Sequence, residues 1–168
     1  SCLELPRPIW LYCGRVAVEK GIEEFLALGL PGTRLVVGDG PATGKLRGKY
    51  PGVVFTGYRF GDELARHVAA ADVFVFPSRA DSFGLVLLEA MACGVPVAAY
   101  PVTGPIDVVV NGVTGVLSED LRAAALTALH LDRRACRDHA LRYTWEAATR
   151  QFIASLAPVD CPHAATIS

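Results

Sequence analysis

The sequence predicts an α/β fold: a doubly wound, mostly parallel sheet of about six strands with helices on its faces. Two observations carry that expectation. Short apolar runs recur along the chain, and their hydrophobicity is near-continuous rather than alternating, which marks strands buried on both faces. Between them lie stretches with helical spacing, and strand alternating with helix builds right-handed β-α-β crossovers. Composition agrees, since 52% of the 168 residues are hydrophobic and 20% charged. A chain of this length and content can close a core without a disulfide or a metal.

Taken in order, the apolar runs are Ile9 to Cys13, Arg34 to Val37, Val53 to Phe55, Asp72 to Phe76 and Val95 to Ala99. The helical stretches between them are Gly21 to Leu28, Pro41 to Lys49 (with Pro41 as first helical residue), Gly61 to Ala70 and Phe83 to Cys93. Beyond Thr103, Gly104 to Asn111 fits either a short helix or a strand. Asn111-Gly112 is a turn signal, and Gly115-Val116-Leu117 reads as a last short strand. Ser118-Glu119-Asp120 opens an Ala/Leu-rich helix to about Leu131. Another helix is expected from Asp132 through Trp145 to Leu156, with Pro158 ending it. Residues 1–157 are thus expected to form one domain, and 158–168 a disordered tail.

Mean hydropathy is high, +0.35, yet a membrane span is excluded on sequence. The longest uncharged stretch, from Ala90, is broken by Gly94, Pro96, Pro101, Gly104 and Pro105. Glu4 and Arg7 stand where the apolar region of a secretory signal would lie. Sixteen basic against seventeen acidic residues give a net charge of -1, so no field steers nucleic acid or a membrane surface. The five cysteines show no C-x-x-C or metal-ligand spacing, and the expected compartment is reducing and cytoplasmic. A chain opening on Ser1 is expected to be cut from something longer.

Ligands of an open parallel sheet bind beyond the carboxyl ends of its strands. After the first strand, Gly14 permits close backbone approach, and Arg15 and Lys20 set two cations at the rim. The pair suits a diphosphate; it also reads as solvated surface charge. After the second strand, Gly38-Asp39-Gly40-Pro41-Ala42-Thr43-Gly44 resembles the dinucleotide fingerprint G-x-G-x-x-G, but its last interval is one residue too long. No acid follows where a ribose would need it, so a tight turn fits better. The fourth strand runs through Ser78 and Asp81 into a helix whose first turn holds Gly84. Glu89 sits in that helix among Leu85, Val86, Leu87, Leu88, Ala90, Met91 and Ala92. Such a helix is expected to be buried, and Glu89 then needs a partner, either ribose hydroxyls or a protein arginine. Asp81 reads as a helix cap or as a sugar contact.

Here the residues resemble a known family. Asp81-x7-Glu89, with Phe83-Gly84-Leu85 inside it, is similar to the E-x7-E motif of retaining GT-B glycosyltransferases, family four in particular. Gly14-Arg15, Glu19-Lys20-Gly21, Val37-Gly38-Asp39-Gly40-Pro41, Ala71 to Ser78 and Glu89 to Val97 resemble that family's C-terminal domain in order and spacing. The resemblance covers about Trp10 to Leu117. It implies a Rossmann-like donor-binding domain, half of a GT-B enzyme, that takes a UDP- or GDP-hexose. Arg15 and Lys20 would hold the diphosphate and stabilise it as leaving group. Amides around Ser82, Phe83, Gly84 and Leu85 would complete the cradle, with Gly14 beneath. Glu89 would take the ribose hydroxyls, Asp81 the transferred hexose, and Gly57 and Tyr58 would flank the base. Asp81 is one methylene shorter than the family's usual glutamate. No D-x-D motif appears, so no metal and no cofactor beyond the sugar-nucleotide substrate are expected.

The resemblance also implies a missing N-terminal acceptor domain, so the fragment is expected to bind donor without transferring sugar. The full-length enzyme is compatible with peripheral attachment to the inner face of a membrane. The Trp145 helix resembles the one that returns to the missing domain. Two other readings are a dinucleotide-binding oxidoreductase domain and a non-catalytic Rossmann-like binding domain.

Overall fold

The computed structural model describes residues 4–80 and 85–143. Six strands form one parallel sheet in the order β3-β2-β1-β4-β5-β6. They are β1 (Ile9–Cys13), β2 (Thr33–Val37), β3 (Val54–Phe55), β4 (Val73–Phe76), β5 (Val97–Ala99) and β6 (Gly115–Leu117). The helices are α1 (Ile22–Leu26), α2 (Thr43–Lys49), α3 (Gly61–Ala70), α4 (Leu85–Ala92), α5 (Pro105–Val108) and α6 (Leu121–Ala128), and residues 133–143 are helical as well. The order reverses between β1 and β4, which makes their carboxyl ends the switch point of the sheet.

Alternation along the strands supplies two cores. Trp10, Tyr12, Val36, Val73, Val75 and Ala98 face α1 and α6, meeting Phe25, Leu26, Leu121 and Ala125. Ile9, Leu11, Leu35, Phe74, Phe76 and Val97 face α3, α4 and the 133–143 helix, meeting Val68, Leu87, Met91, Cys136 and Ala140. Each fully buried Leu or Phe is worth about 1.5–3 kcal/mol, and both cores depend on the strands being apolar on two sides. Trp10, fully buried, donates its indole N–H to the Pro31 carbonyl at 2.5 Å. The Asp72 carboxylate, just before β4, accepts from the Ile9 amide and from Arg7, both at 2.6 Å, tying the amino ends of β1 and β4.

Several boundaries differ from expectation. Helix α2 begins at Thr43 with Ala42 as cap, because Pro41 and Ala42 form the turn that returns the Ala42 amide to the Val16 carbonyl at 3.1 Å. The segment before α1 is a short 3-10 turn, Val18–Lys20, closed by Gly21 at φ 66°. Of the two options for residues 104–111, the helix is formed, as α5. Ser118-Glu119-Asp120 does open α6, with Asp120 as the cap accepting from the Ala123 amide at 3.0 Å, but the helix ends at Ala128 rather than near Leu131. The helix expected from Asp132 is formed over residues 133–143, while its continuation through Trp145 to Leu156 and the tail 158–168 lie outside the described residues.

Candidate functional site

Three loops meet at the carboxyl edge of the sheet, and glycine makes their approach possible. A Cβ on Gly38 would stand 1.9 Å from the Gly14 carbonyl oxygen, and one on Gly40 2.3 Å from that of Val16. Backbone bonds then lace the loops: Gly14 amide to Val37 carbonyl at 3.0 Å, Val16 amide to Asp39 carbonyl at 3.0 Å, and Gly38 amide to Gly57 carbonyl at 2.9 Å. The Gly38-Asp39-Gly40 run therefore packs backbone on backbone. Asp39 caps the turn, its carboxylate accepting from the Thr43 hydroxyl and the Gly40 amide, both at 2.7 Å. Those two bonds, Thr43 first, hold its pKa below the ordinary value.

At the switch point lies a cavity of about 460 Å³. Its walls come from the end of β1 and the following turn (Tyr12, Cys13, Gly14, Arg15, Lys20), from β4 and its loop (Phe76, Ser78), from Leu64 of α3, and from Leu85, Val86 and Glu89 of α4. Gly14, Arg15, Lys20, Leu85 and Glu89, five residues expected from sequence, are thus gathered in one cavity. A second cavity, about 400 Å³, continues between α3 and α4, lined by Gly61, Leu64, Ala65, Val68, Glu89, Ala92 and Cys93. Leu64 and Glu89 wall both. A ligand that is anionic at one end and apolar at the other, with hydroxyls between, matches this succession of two cations, one carboxylate and an apolar groove.

One expectation needs correction. Helix α4 is not buried all round: Leu87, Ala90 and Met91 pack inward, while Leu85 is 62% exposed and Glu89 lies on the exposed side with it. Positions 85 and 89, one turn apart, form the stripe that faces the cavities. Glu89 therefore needs no protein partner to be stable. Composition alone misled here, because an apolar side chain can line a ligand cavity as well as a core. Gly57 and Tyr58 do not line either cavity among the described residues. The Tyr58 hydroxyl donates to the Asp39 carbonyl at 2.9 Å, and its ring stacks on Phe60 with centroids 6.1 Å apart. Asp81, Ser82, Phe83 and Gly84 lie outside the described residues.

Other wall residues were given no role at the site from sequence. Tyr12 reads as core, yet its hydroxyl donates to the Arg15 carbonyl at 2.6 Å and fixes the turn that carries Arg15. Ser78, 3% exposed, lines the cavity floor. The Cys13 thiol is pushed up to about 11, chiefly by burial and then by the negative charge of Glu89. Among the described residues no group of three or more His, Cys, Asp or Glu is placed to hold a metal ion, and no helix is long and apolar enough to cross a membrane.

A parallel sheet in this order, with a cavity at its switch point that sets two cations and a carboxylate on an otherwise apolar lining, defines a doubly wound, Rossmann-like domain. More narrowly, the chain belongs to the group 1 glycosyl transferases, whose family model matches residues 7–132. It is 38% identical over 166 residues to sulfoquinovosyl transferase SQD2 of Arabidopsis thaliana, covering 87% of this chain and 32% of that protein. It is 37% identical over 161 residues to a GDP-mannose-dependent alpha-mannosyltransferase of Corynebacterium glutamicum, covering 88% of this chain and 39% of that one. The fold is shared with Anabaena Alr3699/HepE, solved in complex with UDP and glucose: TM-score 0.72, 21% identity, 90% of this chain and 48% of that one. The chain thus spans about a third to a half of the length of these relatives.

Proposed function

We propose that this chain is the donor-binding domain of a retaining glycosyltransferase that transfers a hexose from a UDP- or GDP-sugar. The observation that carries this is the gathering of Arg15, Lys20 and Glu89 around one cavity at the sheet's switch point. The diphosphate lies against Arg15 and Lys20. The ribose hydroxyls donate to Glu89, and the base enters the apolar groove beyond it, near the loop of Gly57 and Tyr58. By resemblance, Asp81 contacts the hexose and the Ser82–Leu85 amides complete the phosphate cradle.

When the bond between the anomeric carbon and the β-phosphate oxygen breaks, negative charge grows on that oxygen. Fixed cations at Arg15 and Lys20 stabilise it without reorganising. The new bond is to an acceptor hydroxyl, which gives up its proton to the departing β-phosphate oxygen. A second domain of the longer protein supplies the acceptor, and holding both substrates together is worth about 7–11 kcal/mol of the barrier. This fragment alone then binds donor without useful turnover. The relatives' names support the donor class: one is GDP-mannose-dependent, and a solved neighbour was complexed with UDP and glucose. A dinucleotide-binding oxidoreductase is disfavoured because Gly38 and Gly40 are already filled by the backbone of Gly14 and Val16.

A thermal-shift panel with UDP, GDP, ADP, their hexose conjugates and NAD tests the proposal. A bound nucleotide at 100 times its dissociation constant adds about 2.7 kcal/mol of stability. Stabilisation by NAD alone would replace this proposal with the oxidoreductase, and stabilisation by none would leave a non-catalytic domain.

A further inference from the structure

We infer that Arg79 is a positioning residue that locks the Lys20 turn against the β4 loop. The inference deepens the donor-site proposal and rests on it for its consequence in nucleotide binding. Lys20 and Ser78 line the same cavity from different loops, so their spacing depends on what holds those loops together.

One join is backbone. Gly21 sits at φ 66° directly after Lys20, and a Cβ there would be 2.7 Å from the Pro77 carbonyl oxygen. The other join is a chain of side chains meeting at Arg79. Its guanidinium lies 3.7 Å from the centroid of the Tyr100 ring and donates to the Glu119 carboxylate at 3.0 Å. Tyr100, 4% exposed at the end of β5, donates its hydroxyl to Glu24 in the first turn of α1. The relay Glu24–Tyr100–Arg79–Glu119 thereby ties α1, which begins two residues after Lys20, to the β4 loop and to the head of α6. Its members are far apart in sequence, and no metal-like or catalytic motif marks them. A planar cation suits its centre best, because it stacks on a ring and reaches a carboxylate in the same geometry, whereas a lysine ammonium would keep the charge and lose the stack.

The test compares the 168-residue chain with Arg79→Met, Arg79→Lys and, as a control, Arg7→Met, which breaks an ion pair to Asp72 at the opposite edge of the sheet. Hydrogen exchange is followed in peptides covering residues 18–24, and UDP and GDP affinities are measured by calorimetry. Expected results are faster exchange at 18–24 in Arg79→Met, a nucleotide affinity weakened about three- to tenfold, and partial recovery of both in Arg79→Lys. Arg7→Met should alter neither, whatever it does to melting temperature. Unchanged exchange at 18–24 in Arg79→Met overturns the inference, as does an equal effect from Arg7→Met. If the parent binds no nucleotide while exchange still rises in Arg79→Met, the donor-site proposal fails and the mechanical coupling stands.

Discussion

Replacing Gly38 by alanine should cost this domain a large part of its stability. The new Cβ would stand 1.9 Å from the Gly14 oxygen and 2.9 Å from its carbonyl carbon. Neither is the end of a flexible side chain, so a backbone segment has to move. Gly38 also holds φ at 135°, which an L side chain tolerates at about 1–3 kcal/mol of strain. The displaced peptides anchor the Gly14-to-Val37 and Gly38-to-Gly57 bonds, each worth about 1 kcal/mol net. Strain and lost bonds together come to about 3–5 kcal/mol, or about 6–20 °C in melting temperature for a domain of this size. Gly44→Ala is the matched control, since its Cβ meets nothing within 4 Å inside α2. It should be neutral or stabilising by up to about 1 kcal/mol. Circular dichroism melts of the three proteins decide. A Gly38→Ala protein melting within about 2 °C of the parent would refute the claim that these loops meet backbone on backbone.

Glu89→Gln should leave stability within about 0.5 kcal/mol, since the side chain is exposed and packs no core, while weakening UDP or GDP about ten- to a hundredfold in calorimetry through the loss of charged hydrogen bonds. Thiol labelling at pH 8, read by peptide mass mapping, should spare Cys136 and Cys13, whose thiols burial lifts to about 12 and about 11. Cys93 should label first of the three, because the nearby Arg137 and Arg133 oppose the rise that burial causes. Asp39 binds its proton less tightly folded than unfolded, so its stabilisation is complete above the ordinary carboxylate range and is lost as pH falls through its folded value. Asp39→Asn should accordingly flatten the fall in melting temperature below about pH 4.

The sheet was legible because two-sided burial writes itself into β1, β2, β4 and β5 as near-continuous apolar runs. Boundaries were less legible where a tertiary contact decided them. Nothing local says that Pro41 and Ala42 stay out of α2, since the cause is the Val16 carbonyl, 26 residues away in sequence from Ala42. The loops carrying Arg15, Lys20 and Glu89 were found from their places after strands and in one helix, and the fold brings those three together. Sequence reasoning failed on the environment of Glu89, because hydropathy counts Leu85 and Val86 as core whether they face a core or a cavity. Tyr12 and Arg79 were invisible for a different reason: each acts through a group that only the folded chain brings near, the Arg15 carbonyl in one case and Tyr100 with Glu119 in the other.

The central claim is that a nucleoside diphosphate rests on Arg15 and Lys20. Calorimetric titration of the parent, Arg15→Ala and Lys20→Ala with UDP, GDP and the matching nucleosides tests it most directly. The account predicts that the parent prefers a diphosphate to its nucleoside, and that each substitution removes about ten- to a hundredfold of that preference while leaving nucleoside binding alone. Equal affinity of parent and variants for the diphosphate would contradict it.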